Sequence, residues 1–180
     1  MATEKISDAT AGDSYAQITV HEHMLILALI RHLQKTTPIE DFQREQILCY
    51  CNKNLEQFKN WAVYSQTLLI RSQIEIKHYK KLERSLLQLQ QLIDDYNTLE
   101  CSMEERIKYI HGLNYPSFIE LQMIMAENYS ECGCFMSACQ IYERLGMVEE
   151  AVECYSVSGH QSQALELANK QLEKKSTPKL

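Results

Sequence analysis

Residues 134–172 read CFMSACQIYERLG (134–146), MVEEAVECYSVSG (147–159) and HQSQALELANKQL (160–172), which are three blocks of thirteen residues. The same landmarks recur in each block with the same spacing. The glycines are Gly133, Gly146 and Gly159, the alanines are Ala138, Ala151 and Ala164, and the residues four positions after the alanines are Tyr142, Tyr155 and Ala168. A fixed period is typical of helical arrays, so this stretch predicts short helices stacked in a row.

Each block predicts one helix of about ten residues, near the mean helix length. In the first block the residues at i, i+3, i+4 and i+7, which share one helix face, are Ala138, Ile141, Tyr142 and Leu145. Alanine lets a neighbouring helix approach closely, and each glycine falls where a helix ends in the left-handed conformation. Because such a unit cannot bury its apolar face alone, neighbouring units must stack. The alternative is an ordinary helical bundle whose spacing arose by chance.

The composition favours helix along the whole chain. Only five glycines and three prolines interrupt 180 residues, whereas chains built of strands need many turn residues. We predict an all-α fold, an α-solenoid of antiparallel helix pairs. We predict that residues 1–13 are disordered and that a helical repeat domain covers 14–180. Within this domain we predict longer helices over 14–112 and short regular repeats over 117–172.

Charge and cysteine content restrict the partners and the compartment. The net charge of −6 argues against nucleic acid as the main partner. The seven cysteines are an odd number and fall mostly in predicted helices, which predicts reduced thiols in the cytosol or the nucleus. The N-terminus has no apolar signal segment. The run MLILALI (24–30) is too short to cross a bilayer, so we interpret it as a fully buried helix and expect no membrane partner.

Four helices are predicted in the first hundred residues. The first runs from about Ser14 to Lys35, and its predicted face is Ile26, Leu29, Ile30 and Leu33. The sequence Thr37-Pro38-Ile39-Glu40 predicts the start of the second helix, which ends near Asn52. The third (55–77) is apolar on several sides and therefore buried on several sides. The fourth (79–98) carries an apolar seam that begins at Tyr79.

Charged residues near the end of the third helix have two interpretations. Arg71 and Glu75 lie four residues apart and predict a partly buried ion pair that serves packing; a ligand clamp is the alternative. A basic cluster opens the fourth helix and consists of Lys77, His78, Lys80, Lys81 and Arg84. Because Glu75 and Glu83 interrupt this cluster, nucleic acid is a less favoured partner for it.

Two capping boxes precede the repeats. Ser102-Met103-Glu104-Glu105 predicts a short helix that ends near His111 and Gly112, and Pro116-Ser117-Phe118-Ile119-Glu120 predicts a helix over 118–131. Small and aromatic residues then follow in the order of a tetratricopeptide unit, namely Ala126, Tyr129, Ala138 and Tyr142. The match is incomplete, since Gln122 stands where tryptophan is usual and Ala126 replaces glycine.

No pattern in the sequence predicts a reaction, a metal or a cofactor. Cys132-x-Cys134 is followed by Cys139, Cys154 and His160, but structural zinc sites usually combine two C-x2–4-C pairs. Phosphate-binding, dinucleotide-binding, nucleophile-elbow and metalloprotease motifs do not occur in the sequence. We predict that the protein is not an enzyme; a catalytic group assembled across several helices is the alternative that sequence leaves open.

Three segments resemble the tetratricopeptide repeat protein 27 family: NWAVYSQTLLIRSQIE (60–75), KKLERSLLQLQQL (80–92) and 136–180. In that family a leucine-rich helix ending in arginine and glutamate precedes an E-R-x-x-x-Q helix and then short repeats. The corresponding residues are Leu68, Leu69, Arg71, Glu75, Glu83, Arg84 and Gln88. The resemblance covers about 60–180. It implies a cytosolic helical-repeat protein without known catalysis that acts through protein contacts, in chaperone-linked assembly.

We therefore predict a protein that binds other proteins. The alternatives are a scaffold subunit without a peptide groove and an RNA-binding adaptor that uses 77–84. The candidate structural or partner-binding residues are Arg71, Glu75, Glu83, Arg84, Gly133, Ala138, Tyr142, Gly146, Ala151, Tyr155, Gly159 and Ala164.

The last block carries an apolar face that includes Leu165 and Leu172, and the residues that follow (173–180) cannot cover it. Thr177-Pro178 also has the pattern of a helix start. We therefore expect the natural array to continue beyond this segment.

Overall fold

The computed structural model of the chain describes residues 18–38, 40–57, 60–98 and 102–176, with side chains up to residue 173. In these ranges it contains nine α-helices, one 3-10 turn (Tyr79–Lys81) and no β-strand. The helices are α1 Val20–Thr36, α2 Asp41–Glu56, α3 Trp61–Glu75, α4 Leu82–Asn97, α5 Met103–Leu113, α6 Phe118–Glu131, α7 Phe135–Leu145, α8 Val148–Val157 and α9 Gln161–Ser176. The predicted all-α class is confirmed. The predicted disordered segment 1–13 and the helix start at Ser14 lie outside the described residues.

Helix α3 is the centre of the first half of the fold. It packs against α1, α2, α4 and α5, and eleven of its fifteen residues are buried. One face, with Val63 and Ile70, belongs to a core cluster shared with α1, α2 and α5. Another face, with Leu68 and Leu69, belongs to a second cluster shared with α4 and α6. Neighbours on several sides explain why this segment is apolar on several sides.

Helices α6 to α9 form a row in which each helix packs against the next one along the chain. Small side chains separate them: Ala126, Ala138 and Ala151 have no exposed surface, and Ala164 is buried. The third core cluster adds Cys139, Tyr142, Cys154 and Tyr155 to these alanines. Alanine allows a short distance between helix axes, so the buried alanines let each helix of the row pack closely against the next.

The turns that end α6, α7 and α8 are alike. Gly133, Gly146 and Gly159 have φ angles of 79°, 76° and 82°. In each turn the N–H after the glycine donates to the carbonyl five residues earlier: Cys134 to Tyr129 (2.8 Å), Met147 to Tyr142 (2.9 Å) and His160 to Tyr155 (2.9 Å). This is the Schellman arrangement, which satisfies carbonyls at a helix end. The positive φ angles predicted for Gly146 and Gly159 are confirmed.

Helix α1 differs from the fully buried helix predicted for it. Leu27 and Ile30 are buried, but Leu25 is 69% exposed and Leu29, predicted on the buried face, is 43% exposed. The reason is that α1 has neighbours on one side only, where it packs on α2, α3 and α5. Its apolar run therefore covers more of the helix circumference than those neighbours bury.

The predicted start of the second helix at Thr37-Pro38 is wrong. Thr37 ends α1, since its N–H and its hydroxyl both donate to the carbonyl of Leu33, at 3.1 and 2.6 Å. A residue before proline is pushed out of the helical conformation, and Thr37 is accordingly extended. Helix α2 begins at Asp41 and continues past Asn52 to Glu56.

Other boundaries in the structure also differ from the predicted ones. Asn60 caps α3 by accepting from the N–H of Ala62 at 3.0 Å, so this helix begins later than residue 55 and ends at Glu75. The seam of α4 begins after Tyr79, because Tyr79 is 92% exposed. Helix α5 ends at Leu113, close to the predicted end near His111 and Gly112, and Asn114 takes the left-handed position with φ 54°. The predicted capping box of α6, Ser117 with Glu120, is present.

Candidate protein-interaction groove

A groove of about 330 Å³ lies between α4, α6 and α7. Its floor includes the buried side chains of Ile93 and Met125, and its walls are rich in side-chain amides. The lining residues are Gln90, Ile93, Asp94 and Asn97 from α4, Phe118, Gln122, Met125 and Tyr129 from α6, and Ser137, Gln140, Ile141 and Arg144 from α7. We call it the amide groove.

The sequence of α7 divides this helix between core and groove. Ser137, Gln140 and Arg144 are spaced by three and four residues, so they share one face. Ala138 and Tyr142 lie on a different face and are buried against the neighbouring helices. The same periodicity that builds the array therefore presents a polar face of α7 to the groove.

A hydrogen bond between α6 and α7 holds the basic group of the groove. The guanidinium of Arg144 donates from Nη2 to Oε1 of Gln122 at 3.1 Å. Gln122 is 5% exposed, whereas Arg144 is exposed. Since a guanidinium has five N–H donors, Arg144 is anchored by a buried amide and still has donors open to solvent.

The opposite wall carries a carboxylate and further amides. On α4, Nε2 of Gln90 donates to Oδ1 of Asp94 at 3.0 Å, and Asn97 lies at the same wall. A side-chain amide both donates and accepts hydrogen bonds, as a peptide group does. The groove therefore offers matching groups for an extended polypeptide, with a cation on one wall and an anion on the other.

The candidate alanines and tyrosines of the repeat lie inside the array rather than on its surface, whereas the three turn glycines are exposed. Ala138, Ala151, Ala164, Tyr142 and Tyr155 are buried in the third core cluster. The Tyr155 hydroxyl donates to Oε1 of Glu143 at 2.7 Å, and this bond raises the pKa of Tyr155 to about 12. Burial raises the pKa of Tyr142 to about 12. These residues, together with the three turn glycines, hold the helices in place.

The predicted ion pair between Arg71 and Glu75 is wrong. Glu75 is 5% exposed, and its carboxylate pairs with Arg84 and with Nζ of Lys81, the latter at 3.5 Å. The Nε of Arg71 is buried without a hydrogen bond to a described residue. Two causes contribute: arginine before glutamate is the weaker i, i+4 orientation, and the chain reversal brings the start of α4 to Glu75. Glu83 is exposed.

Two of the buried thiols are poor nucleophiles and poor metal ligands. Cys51, Cys139 and Cys154 are buried, and burial raises the pKa of Cys51 to about 12 and that of Cys139 to about 11. Both thiols are therefore protonated at neutral pH, and a thiol must be deprotonated to attack or to bind metal. Within the described ranges, no group of three or more His, Cys, Asp and Glu side chains is arranged to hold a metal ion.

Several known proteins have sequences similar to this one. The chain is 36% identical over 159 residues to the tetratricopeptide repeat protein 27 homolog of Dictyostelium discoideum, which covers 88% of the chain and 19% of the relative. The chain belongs to the tetratricopeptide repeat protein 27 family. It is also 31% identical over 160 residues to essential for maintenance of the cell wall protein 1 of Saccharomyces cerevisiae, which covers 82% of the chain and 18% of that protein.

A TPR repeat-containing protein of Schizosaccharomyces pombe is 27% identical over 180 residues, which cover 83% of the chain and 22% of that protein. The chain thus spans about a fifth of the length of these relatives. No protein-family model matches the chain, and no solved structure matches it. Among the described residues, no helix of this tetratricopeptide repeat protein 27 family member has the length and apolar character needed to span a bilayer.

None of the residues that line the amide groove is among the site residues predicted from the sequence. Arg144 and Gln122 are 22 residues apart, and nothing in their local sequence indicates that they meet. One signal was present, because Gln122 replaces the tryptophan that is usual at this position of a tetratricopeptide unit. A buried amide in place of an apolar ring requires a hydrogen-bond partner, and in this tetratricopeptide repeat protein 27 family member Arg144 is that partner.

Proposed function

We propose that this part of the protein binds other proteins, and that the amide groove holds an extended segment of a partner. The observation that carries the proposal is the anchoring of Arg144 by the buried Gln122 in a groove lined with amides. A hydrogen-bonding surface held in place before binding loses less side-chain entropy when a ligand binds. Two of the three relatives are named as tetratricopeptide repeat proteins, and none of the three names states a reaction.

The proposed cellular role is that of an adaptor in chaperone-linked or other complex assembly in the cytoplasm, and in the nucleus as well. A row of short helices suits this role, because each helix adds surface without closing the structure. No step of the role requires catalysis by the chain, so the protein is proposed to act by binding alone.

The test is site-specific photocrosslinking of the intact protein in cells. A photoreactive amino acid at position 140, on the groove side of α7, should crosslink to a defined set of proteins. Arg144→Glu should lower the yield about tenfold, corresponding to ~1.4 kcal/mol of binding, because it removes the anchored cation. Lys35→Glu on α1 makes the same change in charge outside the groove and should leave the yield unchanged.

A photoreactive group at Glu166, an exposed position on α9, serves as the control for chance collisions. Capture of the same proteins from positions 140 and 166, or an unaltered yield with Arg144→Glu, would contradict the proposal.

The scaffold and RNA alternatives predict other outcomes. A scaffold subunit should lose its partners only when apolar surface is changed, and Leu165→Asp with Leu172→Asp alters two leucines that are each 64% exposed. An RNA-binding adaptor should crosslink to RNA, with an affinity that falls steeply with salt.

A further inference from the structure

The connection between α3 and α4 presents basic side chains that the amide groove does not use. We call residues 77–84 the α3–α4 corner. The corner is held from inside, since Ile76 is buried in the second core cluster and the buried carboxylate of Glu75 pairs with Lys81 and Arg84. Backbone hydrogen bonds from His78 to Glu75 (2.9 Å) and from Lys81 to His78 (2.8 Å) define the turn.

The outer side of the corner is open to solvent. Lys77, His78, Tyr79 and Lys80 are consecutive and all exposed, and Tyr79 shows 92% of its surface. Lys77 and Lys80 form no ion pair with a described residue. Lys77 and Lys80 therefore lie on either side of the exposed ring of Tyr79. The inner side of this connection is held in place by the buried Ile76 and the ion pairs of Glu75.

The charge of the corner is opposite to that of the chain. Residues 75–84 contain four Lys or Arg and two Glu, whereas the whole chain has a net charge of −6. Of the two acids, Glu75 is buried and already paired. Glu83 is the exposed one, so the surface of the corner is positive on a negatively charged protein. Such a local field attracts anionic groups and orients them.

We propose that the α3–α4 corner docks an acidic segment of a partner protein. The carboxylates of the partner segment would pair with Lys77, Lys80 and Arg84. The Arg84 side chain is 59% exposed, although one of its nitrogens binds Glu75. An apolar side chain of the segment would pack on the ring of Tyr79 or on Leu87, which is 64% exposed. Leu87 follows Arg84 by three residues and is its neighbour on the helix surface.

A protein segment fits this surface better than nucleic acid does. Affinity for nucleic acid comes mainly from neutralising many phosphates along a broad basic face. The corner offers few cations, Glu83 lies among them, and the net charge of the chain repels a polyanion. A short acidic segment needs only a few carboxylates, and its apolar side chain accounts for the exposed ring.

The test is fluorescence anisotropy of the folded 180-residue chain with a short labelled peptide of glutamates around one tryptophan. Binding should weaken as salt rises. Lys77→Glu with Lys80→Glu should weaken it at least about tenfold, or ~1.4 kcal/mol. Tyr79→Ser should weaken it about threefold at unchanged charge, a loss of ~0.6 kcal/mol.

The matched control is Lys35→Glu with Lys170→Glu, which makes the same change in net charge elsewhere and should bind like the parent chain. An equal loss in this control, or tighter binding of oligouridylate or of phosphatidylserine vesicles than of the peptide, would overturn the proposal. Arg144→Glu should not alter peptide binding, so failure here is distinct from failure of the amide groove.

Discussion

At the scale of single residues, a buried polar network joins the first three helices. His23 has no exposed surface; its Nδ1 lies 3.0 Å from Oδ1 of Asn54 and its Nε2 lies 3.0 Å from the carbonyl of Gln57. Nδ2 of Asn54 donates to the backbone carbonyl of His23 at 3.3 Å and to the hydroxyl of Thr67 at 3.5 Å. The network therefore aligns α1 with the end of α2 and with α3.

We expect His23→Leu to lower the free energy of unfolding by about 1–3 kcal/mol. Leucine has a similar size but leaves the buried Oδ1 of Asn54 and the part-buried carbonyl of Gln57 without the imidazole as a partner, and an unsatisfied buried group costs about 1–3 kcal/mol. Urea denaturation followed by circular dichroism measures the change. His32→Leu, at an exposed position of the same helix, should stay within about 0.5 kcal/mol of the parent chain, and an equal effect of both changes would contradict the role of the network.

At the scale of elements, the glycine turns set the length of each repeat. No atom outside Gly146 and its two chain neighbours lies within 4 Å of the position that a Cβ would take at Gly146, and the φ of Gly146 is 76°. A side chain therefore has room there, and the requirement for glycine comes from the backbone conformation alone. Gly133 and Gly159 share this property, so the thirteen-residue period is a short helix followed by a left-handed turn.

Gly146→Val should destabilise the chain by about 1 kcal/mol or more, because a β-branched residue is strained in the left-handed conformation. Gly146→Asn should cost less, since asparagine enters this region more readily. Thermal unfolding of both variants tests the assignment. An unchanged melting temperature for Gly146→Val, or equal losses for both, would mean that the turn does not require a left-handed residue.

At the scale of the whole molecule, two packing arrangements meet at α4 and α6. The first half is organised around α3, whereas α6 to α9 form a row, and the contact between α4 and α6 joins them. The amide groove lies at this junction, because α4 and α7 both flank α6. The two proposed binding surfaces both involve α4, with the corner at its start and the groove along its second half.

The stability of the whole chain should decrease at alkaline pH. The pKa values of Tyr142 and Tyr155 rise from 10.0 to about 12, and those of Cys51 and Cys139 rise from 9.0 to about 12 and about 11. Raised values mean that the folded state favours the neutral forms. Their contribution to stability is complete below about pH 9, the ordinary pKa of cysteine, and is lost as the pH rises through the folded-state pKa values.

We therefore expect the melting temperature to hold up to about pH 9 and to fall between about pH 9 and 12. Melting curves by circular dichroism across this range are the measurement. Tyr142→Phe with Tyr155→Phe should flatten the fall above about pH 10, because phenylalanine does not ionise. A melting temperature that stays level to about pH 12, or a fall that the double variant leaves unaltered, would be inconsistent with this account.

The sequence by itself determined the array from α6 to α9. The alanine face and the glycine turn depend on residues within one helix and its end, so the thirteen-residue period predicts them without knowledge of neighbours. The bounds of α6 and the capping box at Ser117 and Glu120 are local in the same way. The helix start predicted at Thr37-Pro38 is wrong because the same two residues suit the end of one helix as well as the start of the next.

Only the tertiary structure decided which charged and polar groups meet. Glu75 pairs with Lys81 and Arg84, at the start of the next helix, and not with Arg71 of its own helix. Arg144 binds Gln122 on the preceding helix. Tyr79 is exposed to solvent although it continues the apolar seam of α4. Each of these outcomes depends on how the chain reverses and which helices become neighbours. Sequence spacing specifies the faces of one helix, whereas contacts between helices follow from packing of the whole core.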